Sequence, residues 1–120
     1  MDTVTKYAVL GIKALLTLAF LAAGGAKLIG ADMMVLTFDA IGWGQWFRYV
    51  TGGIEVVAAV LLWVPGLAAL GAALLVATMI GAIIAHLAVL GPSMVPALVL
   101  GILAALILYR HRDQIGAPRG

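Results

Sequence analysis

The chain has 120 residues, of which 65% are hydrophobic and only 10% charged, and its mean hydropathy is +1.20. A soluble domain keeps its charged side chains over its surface, so a chain this apolar reads as a membrane protein covered by lipid. The absence of cysteine excludes thiol–disulfide chemistry by this chain, thiolate-held clusters and a cysteine-based zinc site, and a net charge of +2, with the basic residues mostly at the ends, carries no nucleic-acid signature.

At about 20 residues per membrane-spanning helix, the length allows four spans with short links. The expected fold is an all-α integral membrane protein, a single transmembrane domain over 1–120 with four helices in an antiparallel bundle. The first span is the apolar run 8–29, with Lys13 near one end and Lys27 near the other. Lys6, Lys13, the apolar stretch and the small residues Ala22 to Ala26 also resemble a signal peptide, but the segment is expected to stay in place as a span. The loop 30–47 is expected to carry a short interfacial helix. Asp32 would cap it, Met34, Phe38 and Ile41 would share one face, and Gly42 would stop it. Trp43, Trp46, Phe47 and Tyr49 follow, residue types that gather at the membrane interface. Trp43 and Trp46 are therefore expected to roof the bundle.

The second span is expected at about 48–64, ended by the Pro65-Gly66 turn. The third is expected at 67–90, ended by Gly91-Pro92. The fourth is expected at 94–109 with Pro96 in its first turn, where a missing N–H costs little. A loose tail is expected over 113–120. Glycines at 24, 25, 52, 53, 71 and 81 supply the small surfaces that let helices pack closely in lipid.

Four spans put both termini on one side of the membrane. That side carries Lys6, Lys13, Arg110, Arg112 and Arg119 against Lys27 and Arg48 on the other, and the positive-inside rule then places both termini in the cytoplasm. An ionisable side chain at the centre of a membrane helix costs about 2.5–3.5 kcal/mol and faces a bundle interior or a wet cavity. Glu55 and His86 are the two such groups. At 1.5 Å per residue Glu55 lies about 10 Å from the outer end of its span and His86 about 6 Å from the outer end of the next. Lys27 and Arg48 close the set on the same side. Arg48, Thr51, Glu55 and Ala59 recur at helical spacing, as do Thr78, Ala82 and His86, so the polar groups converge on the outer half of the bundle. The inner half offers little that is polar beyond Lys13 and Thr17.

A carboxylate, an imidazole and two cations suit a polar ligand or proton handling. The same set equally suits an internal ion pair that fixes helix register. Arg48 and Lys27 sit at helix ends, where snorkelling to the interface is ordinary. Metal binding is not expected: Glu55 and His86 supply too few ligands for zinc, and His86 and His111 fall at opposite ends.

The order Gly-Gly-Ala-Lys27-Leu, Gly42 with an aromatic-rich entry, Gly-Ile-Glu55, and Ala-His86-Leu followed by Gly-Pro resembles the DoxX-like family of small four-helix bacterial membrane proteins, over about residues 8–112. The resemblance implies that Lys27, Glu55 and His86 are the family's polar signature. It also implies an inner-membrane location and an association with quinone-linked oxidation, as an accessory subunit of an oxidoreductase system whose outer pocket takes a quinone-like ligand. No covalent cofactor is implied. Whether the chain is itself an enzyme stays open. A non-catalytic assembly factor, chaperone or scaffold is the alternative, and a small transporter or proton conductor, as an oligomer, is a third reading. The expected partners are the lipid bilayer, a redox partner protein and a second copy in a homodimer.

Overall fold

The computed structural model describes residues 2–90 and 94–116. Among the described residues there is no strand. The helices are α1 (Thr3–Ile29), α2 (Asp32–Ile41), α3 (Trp46–Leu61), α4 (Ala68–Ala85), α5 (Val95–Arg110) and α6 (Asp113–Gly116), with a π-helical turn, His86–Leu90, continuing α4. The four longest helices pack as a ring in which α1 meets α3, α3 meets α4, α4 meets α5, and α5 returns to α1. The described molecule measures 45 × 27 × 22 Å.

Small residues set how closely these helices approach. A Cβ added at Gly71 would lie 2.7 Å from the Ala58 carbonyl oxygen, so α3 and α4 touch there through their backbones. The core between the four helices holds Leu16 and Phe20 from α1, Leu62 just past α3, Leu75 from α4 and Ile107 from α5, all at most 1% exposed. The outer faces are equally apolar. Leu18 and Leu87 are each 71% exposed, and Val57, Val60, Ile84 and Ile102 are exposed on the other helices. Apolar side chains spread around a whole bundle at this density are a surface for lipid or for other apolar protein.

Helix ends follow local chemistry. Asp2 caps α1: its Oδ1 accepts the Thr5 N–H at 2.7 Å, and that bond holds the Asp2 carboxyl below its ordinary range. Gly30 ends α1 with φ +74°, and the Ala31 N–H reaches back to the Ala26 carbonyl at 3.0 Å, which closes the last turn. Gly42 ends α2 in the same left-handed conformation. The Val64 to Leu67 turn, with Pro65 and Gly66 at its centre, joins α3 to α4.

Several boundaries differ from the sequence expectation. The short helix between the first two long ones forms as expected, with Phe38 buried on its inner face. Asp32, however, is its first residue and not its cap; Ala31 holds that position and supplies no side-chain bond. The second apolar helix ends at Leu61, three residues early, because the turn already begins at Leu62. The third leaves α-geometry at His86 for the π turn. Residues 113–116, expected to be loose, make one helical turn because Gln114 Oε1 accepts the Ala69 N–H at 2.9 Å. Gly91-Pro92 and the tail beyond 116 lie outside the described residues. Among the described residues two helices are long and apolar enough to cross a membrane, α1 and the run Ala68–Ala88; α5 is apolar but shorter. At 1.5 Å per residue the 16 residues of α3 or α5 rise about 24 Å, less than the roughly 30 Å of a bilayer's hydrocarbon core.

Candidate functional site

The crossing of α1 and α3 positions the charged residues. A Cβ on Gly24 would fall 2.9 Å from the Gly52 carbonyl oxygen, and one on Gly52 would fall 2.9 Å from the Gly24 carbonyl oxygen. The two backbones are therefore in direct contact, and only glycine permits that approach. One helical turn away on each side, at Lys27 and Glu55, the side chains meet across the same seam.

Lys27 Nζ lies 2.8 Å from Glu55 Oε1. The Glu55 residue is 1% exposed and Lys27 9%. The ammonium sits off the direction of a good hydrogen bond to Oε1, so the contact is chiefly charge on charge. At this separation and burial the attraction is large, and so is the desolvation that opposes it; what the geometry secures is that neither charge is left alone.

Arg48, expected either to join the polar set or to snorkel to the interface, is buried beside Lys27. It does not snorkel to the surface: it is 5% exposed, in the first turn of α3. Its Nη1 donates to the Lys27 carbonyl, one of the acceptors that the end of α1 leaves without an intrahelical partner. Its Nε donates to Gln45 Oε1 at 2.7 Å, and its guanidinium lies 4.3 Å from the Tyr49 ring centroid. A cation at the C-terminus of α1 also complements that helix's dipole. Gln45 extends the network outward, its Nε2 donating to the Val35 carbonyl at 3.1 Å and to Asp39 Oδ1 at 2.8 Å. The chain Glu55, Lys27, Arg48, Gln45, Asp39 thus runs from the core to the exposed side of α2. Gln45 was missed in the sequence; its spacing three residues before Arg48 was the available signal.

Trp43 and Trp46 flank Phe47 at ring-centroid distances of 5.1 and 5.7 Å, and Phe47 meets the buried Phe38 edge-on at 5.8 Å. The two tryptophans are 66% and 60% exposed, so they form the outer skin of an aromatic cluster that fastens α2 to α3. His86 opens the π turn, which packs against α2, and it is partly exposed. The structure thus joins Lys27, Glu55 and Arg48 in one network and places His86 on the neighbouring element.

Replacing Arg48 by Lys is expected to lower stability by about 1 kcal/mol, because the charge stays while the two-directional fork that joins the Lys27 carbonyl to Gln45 is lost. Thermal unfolding in detergent checks it; an unchanged midpoint shows that the fork contributes nothing.

No curated protein and no solved structure matches this chain. The family model described as DoxX-like matches residues 11–108, which include the Gly24–Gly52 crossing, the Lys27, Arg48 and Glu55 network and His86, and the chain is a member of the DoxX-like family.

Proposed function

We propose that this protein is a four-span scaffold of the bacterial cytoplasmic membrane, an accessory or assembly subunit whose buried charges hold its own helices in register and carry no chemistry. The observation that carries the reading is the direct contact of Glu55 with Lys27 at 2.8 Å beside two touching glycine backbones. A carboxylate held against its counter-charge in that seam is committed to the fold. In this arrangement α3 and α5 span with the help of aromatic flanks, Trp46 at the start of α3, Trp63 in the turn just past its end and Tyr109 on α5, which are all exposed. Both termini lie in the cytoplasm, and a reporter fused after Gly120 is expected to be active there; an external tail reverses the orientation.

A second reading keeps the quinone-like ligand and the redox partner. It draws on the burial of one carboxylate and two cations, Glu55, Lys27 and Arg48, in one part of the bundle, a set that suits a polar head group. Thermal unfolding with a soluble quinone analogue separates the two. The scaffold predicts the same midpoint with and without the analogue. An upward shift in the wild type that disappears in Glu55→Gln overturns the scaffold in favour of the ligand site.

A further inference from the structure

The end of the bundle opposite Glu55 carries a second cluster of polar groups, built from segments distant in the chain. A cleft of about 160 Å³ opens there, lined by Lys13, Trp63, His111 and Gln114 with the apolar Leu62 and Pro65 among its walls. A cavity of roughly 150 Å³ is large enough for a benzene-sized group. Its walls are fixed in place. Trp63 Nε1 donates to Thr17 Oγ1 at 2.7 Å, Thr17 in turn donates to the Lys13 carbonyl at 2.7 Å, and Gln114 is tied to Ala69. The Lys13 ammonium lies 5.9 Å from the centroid of the Trp63 ring.

Three features of this cleft favour a negative charge. Lys13 is partly buried, and its ammonium lies over the face of the Trp63 ring. His111 Nε2 is buried with no hydrogen-bond partner, although the residue as a whole is only partly buried. A buried polar atom of this kind is uncommon and calls for a ligand or a water. Finally, α4 begins at the cleft wall with Ala68, and its N-cap, Leu67, has no side chain to satisfy the first-turn N–H groups. Those groups carry the positive end of the helix dipole, and Gln114 Oε1 already occupies one of them, at Ala69. Burial pushes the His111 imidazole below its ordinary value, with Lys13 and Arg110 acting in the same direction and Asp113 opposing them; an anion in the cleft would reverse that balance.

We infer that this cleft binds a phosphate group, with Lys13 as the cation and His111 Nε2 as a donor, and with the α4 N-terminus behind them. The apolar walls and the position at the end of a lipid-coated bundle make a phospholipid head group the natural source, and free phosphate offers the same chemistry. Trp63 reports the site directly. In a Trp43→Phe, Trp46→Phe background it is the sole indole, since the chain has three tryptophans.

The experiment titrates this protein, purified in a neutral detergent, with phosphatidylglycerol, with phosphatidylcholine and with inorganic phosphate, following Trp63 emission. Saturable change with phosphatidylglycerol, weakened about tenfold or more by Lys13→Gln and by His111→Phe, is the expected result, since a hydrogen bond to a charged group is worth at least that factor. The same pattern with inorganic phosphate alone supports the site and names the free ion as its source. Two variants are used because one can fail to fold; His111→Phe keeps the ring volume. Responses to phosphatidylcholine and phosphatidylglycerol alike, weakened in both variants, support the site and show that it reads the phosphodiester alone; equal responses in the wild type and both variants, or no response to any of the three, overturns the inference.

Discussion

Replacing Glu55 by Gln is expected to destabilise the bundle by about 3 kcal/mol, the lower end of the range for breaking a buried charge pair. Gln keeps the volume and a polar oxygen, so packing at the seam is unchanged and the effect is electrical. Lys27 then keeps its charge without the carboxylate it meets at 2.8 Å, in a position 9% exposed. The lower end applies because Lys27 lies two residues from the end of α1 and its stem can turn toward the interface. Thermal or denaturant unfolding in a mild detergent checks it. A loss below about 0.5 kcal/mol shows that Lys27 needs no partner and removes the clamp from the account.

The second large effect is expected at the helix crossing. Gly52→Ala places a methyl group 2.8 Å from Lys27 Cβ and 2.9 Å from the Gly24 carbonyl oxygen. Neither neighbour is the free end of a flexible chain, so no rotamer change relieves the clash and the helices must separate. Overpacking of this kind costs about 1–3 kcal/mol, and backbone on backbone belongs at the upper end. Gly53→Ala is the control. Nothing lies within 4 Å of a Cβ at Gly53, so the better helix propensity of Ala should leave stability unchanged or raise it by up to about 1 kcal/mol. Equal effects at the two positions contradict a crossing at Gly24 and Gly52.

That contrast also shows what the sequence could and could not reveal. The helical spacing of Arg48, Thr51, Glu55 and Ala59 pointed Glu55 inward, and Glu55 is almost wholly buried, because a strongly unfavourable exposure to lipid makes one face unambiguous. The paired glycines were legible as packing surfaces, and Gly24 shares a helical face with Lys27, but the sequence did not say which of Gly52 and Gly53 meets it. Gly24 and Gly52 touch while Gly25 and Gly53 have open space, and a rotation of 100° per residue decides it. Arg48 was legible as a member of the polar set, but a cation at a helix start can also snorkel, and the sequence could not name its partner. Its real acceptor, the Lys27 carbonyl, is 21 residues earlier and becomes available only when α1 ends beside α3. The opposite end of the bundle looked nearly empty for the same reason: Gln114 and Ala69 are 45 residues apart, and no local pattern links them. The π turn at His86 left no trace in an apolar run whose composition suits α-helix throughout.

The measurement that bears most directly on the clamp is a double-mutant cycle on Lys27→Met and Glu55→Gln, read as unfolding free energies in one detergent. The account predicts that each single change is costly and that the double change recovers much of the loss, giving a coupling of about 2–3 kcal/mol, as expected for residues in one charged contact. Single effects that add to within about 0.5 kcal/mol would contradict it, because Lys27 and Glu55 would then act independently and the contact between α1 and α3 would not depend on their charges.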